Sequence, residues 1–486
     1  MAAPATSARP RGARRFQLET ELPELTPRER AARGKAARVA VPRSDHAVFD
    51  PPDDRPDPVS QLEEQAASRV QELVPVRYGR MLASSFAYFR GAALPMASDL
   101  SETPVTGFSV QACGDAHLSN FGIFGSPERQ LVFDINDFDE TLPGPWEWDV
   151  KRLAASLEVA GRDNGFSPKQ RRAVVLAAAS QYREAMRQFA GMTNLAVWYA
   201  RTDVASVQQN LSRQLGARQQ RKLAEGEAKA RTHDSMKALA SLTTMVDGRP
   251  RITADPPLVV PVIDLLPAQR DRSELEAELT HLIDQYKRTL ETDRRHLLDQ
   301  YQFAELARKV VGVGSVGTQC WIALMLGRDD SDPLFLQIKE APRSVLSAYA
   351  GASKYANQGQ RVVAGQRLMQ AASDIFLGWQ RVEAGLDGKS RDFYVRQLKD
   401  WKMSLPIESM IPAGMRSYGA VCGWTLARAH ARSGDRIAIA AYLGGADVFD
   451  QAIADFAVAY ADQNERDYER LAAAAAAGRI AAEPGV

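Results

Sequence analysis

Only three cysteines, Cys113, Cys320 and Cys422, are spread through the 486 residues. They are too few and too far apart for a disulfide framework or a CxxC zinc site, and such usage suits a reducing compartment. Long apolar runs are also missing. No window approaches the roughly 18 to 20 uninterrupted apolar residues of a membrane span, and no apolar signal-type stretch follows Met1. A soluble, cytoplasmic protein with no membrane partner is the expectation. Nor is there an excess of one charge: 61 Lys and Arg against 60 Asp and Glu leave +1. That balance excludes a uniformly basic nucleic-acid binder. No fixed-period repeat suggests a solenoid. Apolar mass, in contrast, is plentiful, since 45% of the residues are hydrophobic, enough for one large or two ordinary cores.

The charge balance conceals a segregation. Residues 1–47 carry ten Lys and Arg against five acids, whereas residues 111–150 carry eight carboxylates against Arg129 alone. Carboxylates at that density repel unless arginines, solvent or a cation compensate them.

Composition divides the chain into five stretches. Residues 1–57, rich in Arg and Pro and closing on Pro51, Pro52 and Pro56, read as a disordered tail. Residues 58–200 begin with roughly helical spacing that carries Arg77, Arg80 and Arg90. Two short apolar strands follow (108–112 and 130–135), each ending in carboxylates, and then a helix starting near Trp148. Residues 201–300 read as a helical insertion or substrate subdomain, with a basic stretch from Arg213 to Arg231 that offers an acceptor side or a solvated helix face. Residues 301–405 hold two β-rich runs joined by a polar turn at 327–333. Residues 406–486 read as helices.

The densest chemistry is GDAHLSN (114–120), followed fourteen residues after Asn120 by DINDFDE (134–140). An Asp and an Asn on one turn, with a further Asp at the end of the next strand, offer the hard oxygens that Mg²⁺ takes together with substrate phosphates. Downstream, Gly312, Gly314 and Gly317 form a GxGxxG, and Lys339 lies on the second strand of the hairpin. Glycines let backbone approach phosphate closely, and a strand lysine offers a fixed positive charge. A Rossmann turn requires a helix directly after the third glycine, yet TQCWI follows, which favours a hairpin lid.

These motifs resemble the catalytic loop of the protein-kinase-like superfamily in its aminoglycoside-phosphotransferase form. Cys113 stands where that pattern usually has a histidine. The resemblance implies that Asp115 is the base or hydroxyl-orienting residue, that Asn120 and Asp134 bind metal, with Asp137 and Asp139 as further candidates, and that His117 is structural. PWEWD (145–149) resembles the following segment, in which an Asp, here Asp149, braces the catalytic loop. LARAH (426–430) resembles the helix that precedes that loop. The glycines and Lys339 would hold the phosphates of ATP. Because the catalytic loop precedes the lid, the implied fold is an α+β, two-lobe, kinase-like fold in circular permutation, with a largely helical C-lobe. Kinases pair the strand lysine with a helix glutamate, and none occurs between Ala341 and Val382; Gln366, Gln370, Asp374 or a shifted Glu340 are the substitutes. RMLASSFAYFRGAA (80–93), GDAHLSNFG, FDINDFDET and GQRVVAGQRLMQAASDIFLGW (359–379) resemble the bacterial family called domain of unknown function 2252.

Three functions follow. An ATP- and Mg²⁺-dependent phosphotransferase acting on an unidentified hydroxyl acceptor leads. A nucleotide-binding pseudoenzyme or adaptor, or an AMP-transferring enzyme, is the alternative suggested by the missing glutamate. A metallophosphoesterase is the third, weakened because His46, His233, His281, His296 and His430 lack the DxH and GNH contexts that such chemistry needs.

Overall fold

The computed structural model describes residues 15–19, 24–203, 235–266, 272–385, 387–398, 401–403 and 405–485. The basic stretch 213–231 lies outside them. The chain is a mixed α+β structure whose strands form several small antiparallel sheets and one of six strands.

The helical half is built around Trp146–Asp163, which is buried on nearly every face and therefore lies at the centre of a bundle rather than on its surface. Pro168–Ala190 starts with a Ser167–Gln170 capping box and Pro168 in its first turn, a sequence that fixes a helix N-terminus. It packs on Pro412–Ser433 through Gly423, where a Cβ would lie 2.2 Å from the Ala178 carbonyl oxygen. Only glycine lets these two backbones meet. The helix Val448–Ala476 completes the bundle. The helical spacing read from residue 61 onward is broken into Pro58–Ala66, Val74–Met81 and Ser85–Gly91.

Two small sheets hold the acidic loops. Ser109–Ala112 pairs antiparallel with Leu142–Pro145, and Phe121–Gly125 with Leu131–Ile135. GDAHLSN therefore leaves one sheet and enters the other, and NDFDET returns between the same two sheets. The loops lie side by side, with Asn136 N–H donating to the Asn120 carbonyl at 2.7 Å.

The six-stranded sheet runs in the order Gly378–Val382, Arg391–Gln397, Pro333–Glu340, Cys320–Leu326, Gln302–Lys309, Val259–Pro261, antiparallel throughout. The glycine segment connects Gln302–Lys309 to Cys320–Leu326. The stretch 201–300, expected to be an insertion, is joined to this sheet in its described part. Val259–Pro261 is the edge strand, and Tyr286, Leu290 and Leu298 share one apolar cluster with Leu306, Trp321 and Phe376. Apolar residues on both sides of residue 300 thus bury each other.

The disordered tail is also corrected. Within residues 1–57 a helix spans Pro27–Ala40, opened by a Thr26–Glu29 capping box, and Arg30 and Arg38 on it, with Arg43 beyond it, have partners. Arg30 bonds Asp435 at 2.8 Å, Arg38 donates to the carbonyls of Tyr442 and Ala441, and Arg43 donates to that of Leu443. These carbonyls end the helix Arg436–Leu443, where unpaired acceptors and the negative dipole end attract cations. His46 is fully buried, with Tyr442 Oη at 2.8 Å.

Burial, aided by nearby Lys151, pushes the His46 imidazole down to about 3. A depressed folded-state pKa means that the contribution to stability is complete above the unfolded value of 6.5 and is lost as pH falls from there toward 3. Between about pH 7 and pH 5 the loss from this one group is roughly 2 kcal/mol. Urea unfolding at both pH values is expected to show that slope in the native chain and a shallower one in His46→Leu; identical slopes would mean that the 43–47 segment is not docked.

Candidate functional site

The GDAHLSN loop is held from below by Asp149. Its carboxylate accepts from the backbone N–H of Cys113 at 2.6 Å and of Gly114 at 2.9 Å, and His430 Nε2 lies 3.1 Å away. Gly114 has φ +84°, and a Cβ there would collide with the Glu140 carbonyl, so the tight turn requires glycine. Tyr182 Oη fixes the other ring nitrogen of His430 at 2.8 Å. LARAH thus sends His430 to the loop's brace.

Asp115 sits at the surface of a cleft with Arg152 Nη2 2.7 Å from Oδ1. Arg152 is fixed in turn by the Phe89 carbonyl at 2.8 Å and lies over the Phe89 ring at 3.9 Å. Asn120 Nδ2 donates to the Asp115 carbonyl at 2.7 Å, leaving Oδ1 as the atom this amide can offer a cation. His117 is buried, its ring pushed down to about 4 chiefly by burial, and it stays neutral at neutral pH.

The expected metal ligand Asp134 is taken up elsewhere. It is 2% exposed and forms an ion pair with Arg428, itself anchored by the Met369 carbonyl at 2.6 Å. Asp134 Oδ1 also accepts from Ile135 N–H at 2.8 Å and Oδ2 from Ala371 N–H at 3.0 Å. With both oxygens engaged inside the protein, Asp134 is a structural anion. Asp137, three residues on, lines the cleft together with Asn120. Although burial acts against its charge, Lys339 and Arg396 hold the Asp137 carboxyl well below the usual carboxylate range.

Lys339 is buried on the central strand Pro333–Glu340. Its Nζ lies 2.6 Å from Asp139 Oδ2 and 3.5 Å from Asp137 Oδ2. Burial opposes its charge, but those carboxylates outweigh it and hold the ammonium well above its ordinary value. The substitutes suggested for the missing glutamate do not bond it. Gln366 and Gln370 bond each other, Asp374 accepts from Phe376 and Gln397 N–H, and Glu340 accepts from Gln319 N–H with Arg391 at 3.3 Å.

The glycine loop is gripped from the opposite side by arginines of the 58–90 region. Arg69 Nη1 donates to the Gly314 carbonyl at 2.8 Å and the Val316 carbonyl at 2.5 Å, and Arg80 Nη1 to that of Gly312 at 2.7 Å. Gly312 and Gly317 have φ +68° and +86°, a region that favours glycine. Ser315 Oγ reaches Asp139 at 3.4 Å.

Two cavities meet here. One, of about 1740 Å³, contains Asp115 and His117; the other, of about 470 Å³, contains Lys339, Arg396 and Lys402. Asn120, Asp137, Gly312 and Ser315 line both. The wall of the larger cavity also includes residues of the stretch 45–69 and, among the described residues, none of the 201–300 stretch.

Residues 69–474 match the family model described as "Uncharacterized protein conserved in bacteria (DUF2252)". The chain belongs to this family. No curated protein and no solved structure matches it.

Among the described residues of this DUF2252 chain, no three His, Cys, Asp or Glu side chains are grouped to hold a metal ion. Magnesium sites built from one or two carboxylates plus phosphate oxygens do not need such a group; Asn120 and Asp137, which line both cavities, are the residues that could offer such a smaller donor set. Residues that carry the geometry but were not singled out from sequence are Arg69, Arg152, Arg361 and the roles of Arg428 and His430. Arg152 had a signal: it follows Asp149 by three residues on one helix, so both face the same loop.

The assignment of Asp134 is testable by stability alone. Asp134→Ala leaves Arg428 buried and unpaired, and urea unfolding is expected to show a loss of ~3–5 kcal/mol. A loss below ~1 kcal/mol would mean that the pair does not support the fold.

Proposed function

We propose that this protein is an ATP- and Mg²⁺-dependent phosphotransferase of kinase-like architecture, its two lobes in permuted order. The observation that carries the reading is the shared wall of the two cavities. Lys339 lies on one side and Asp115 on the other, with Asn120, Asp137 and the glycine loop between them. A phosphoryl donor on the lysine side and a hydroxyl acceptor on the Asp115 side would face each other across that wall, as in-line transfer requires.

The sheet supports the same reading. A glycine loop joins two antiparallel strands, the next strand bears the lysine, and the helix Gln358–Met369 follows it. Kinase-like sites use such a loop to cover phosphates and such a lysine to bind them. Their catalytic segment comes later in the chain, whereas here it comes first. A permutation changes the order of the segments without changing how they pack.

In this reading Asn120 and Asp137 would hold Mg²⁺, which supplies neutralisation of phosphate charge. Asp137 takes the part expected of Asp134. Loop N–H groups and Lys339 bind the phosphates, and Asp115 orients the acceptor hydroxyl. Arg152 Nη2 occupies one side of the Asp115 carboxylate at 2.7 Å, so Asp115 acts by accepting the hydroxyl's hydrogen bond and orienting it. The same pairing favours, as a second reading, a protein that binds nucleotide without transferring phosphate. AMP transfer was attached to a lysine lacking a carboxylate, and Lys339 has one.

Calorimetric titration with ATP and Mg²⁺ is expected to show binding that weakens about tenfold or more in Lys339→Ala and Asp137→Ala, since each loses a charge-assisted contact. Unchanged affinity in both variants sinks the proposal. ATP turnover that disappears in Asp115→Asn, with binding retained, separates the enzyme from the non-transferring reading.

A further inference from the structure

Lys339 is bound by an acid that does not come from the helix beside it. The helix Gln358–Met369 instead presents Arg361, which is 2% exposed and donates to the carbonyls of Thr141 at 2.7 Å, Asp139 at 2.8 Å and Pro342 at 2.9 Å. It therefore grips the backbone of the acidic segment and leaves the lysine to that segment's side chains.

Asp139 is the residue this grip delivers. Its Oδ2 takes Lys339 Nζ at 2.6 Å and Ser315 Oγ at 3.4 Å, and its Oδ1 accepts from Tyr394 Oη at 2.6 Å. Tyr394 and Lys339 are opposite each other on adjacent strands, so one carboxylate spans the sheet and touches the glycine loop. Its own N–H donates to Asp137 Oδ1 at 3.2 Å. An ammonium has three N–H donors. One is donated to Asp139, Asp137 lies 3.5 Å away as a second counter-charge, and a donor remains for a phosphate oxygen in the smaller cavity that Lys339 lines.

We infer that Asp139 is the positioning residue for Lys339, and that by coming from the segment of Asp137 it sets the phosphate-binding lysine and the cation-facing carboxylate as one rigid unit. The inference rests on the phosphotransferase reading. In kinases the corresponding acid sits on a helix whose position controls the pair. Here the pair is made between the sheet and the acidic segment, so the lysine is placed without reference to that helix's carboxylates.

The test is titration of ATP with Mg²⁺ into the full chain as wild type, Asp139→Asn, Asp139→Glu, Lys339→Met and the Asp139→Asn/Lys339→Met double variant, each followed by thermal unfolding. The expected result is about tenfold weaker binding in Asp139→Asn, substantial recovery in Asp139→Glu, and a double variant no weaker than Lys339→Met, because coupled residues are not additive. Tyr394→Phe, which frees one oxygen of Asp139 and keeps every charge, is expected to weaken binding about threefold and serves if Asp139→Asn does not fold. Wild-type binding that survives within about twofold in Asp139→Asn, or in Tyr394→Phe if the former is unfolded, overturns the inference and leaves the phosphotransferase reading standing. So do losses that add fully in the double variant. A wild-type chain that binds no ATP removes that reading, and the inference with it.

Discussion

Eight carboxylates within forty residues cannot be folded into a protein interior unless each is solvated or given a partner, and the structure is arranged to supply those partners. None of the cations that do so is adjacent in sequence. Asp134 receives Arg428 from Pro412–Ser433, Asp115 receives Arg152 from Trp146–Asp163, and Asp137 and Asp139 receive Lys339 from the six-stranded sheet. Asp149 takes two backbone N–H groups and His430, and Glu147 takes Thr106. Compensating this one segment therefore ties together the helical bundle, both small sheets and the large sheet.

The compensation is uneven, and the unevenness separates scaffold from site. Asp134 and Asp149 are 2% and 1% exposed, with their oxygens engaged inside the protein. Removing either partner strands a charge in a medium where desolvation costs several kcal/mol, so these groups are fixed in one geometry. Asp115, Asp137 and Asp139 keep part of their surface on the cleft, with side-chain exposures of 19%, 30% and 22%. A group held on one side and open on the other can meet a ligand without first reorganising, which is the preorganisation that electrostatic catalysis uses. Glu140 lies between these classes. Burial pushes its carboxyl up to about 7, with nearby Arg361 acting in the opposite direction.

The strands around the acidic loops and the glycine–lysine hairpin were legible because short apolar runs bounded by Gly, Pro and Asp carry their own boundaries. The choice between Asp134 and Asp137 was not. Both are aspartates near the end of one strand, three residues apart, and only the position of Arg428, almost 300 residues later, decides which is closed off. The tail misled for a related reason. Composition registers ten cations in residues 1–47 but not that two of them, Arg38 and Arg43, find carbonyl acceptors at the end of Arg436–Leu443. Backbone acceptors carry no side-chain signature, so a cap made across 400 residues looks like a solvated charge run. Nor does composition show that described residues of 201–300, such as Tyr286, Leu290 and Leu298, pack on strands that follow them, a property of pairs rather than of the segment.

The docked N-terminal stretch also bears on the larger cavity. Residues 45–69 contribute to the wall around Asp115, while Arg69 and Arg80 hold the glycine loop by its carbonyls. A glycine loop left alone has many accessible conformations, and fixing each residue costs roughly 1–2 kcal/mol of backbone entropy. Hydrogen bonds from charged donors contribute roughly 1.5–3 kcal/mol each, so the three that these arginines make are comparable in size with the cost of ordering a six-residue loop. The loop is therefore shaped before any ligand arrives. Its side-chain contact to Asp139 through Ser315, at 3.4 Å, is longer than those of Lys339 and Tyr394 to the same carboxylate and accordingly weaker. The arginine-rich stretch that precedes the acidic loops is thus part of the glycine loop's support, and residues 45–69 shape the larger cavity beside Asp115.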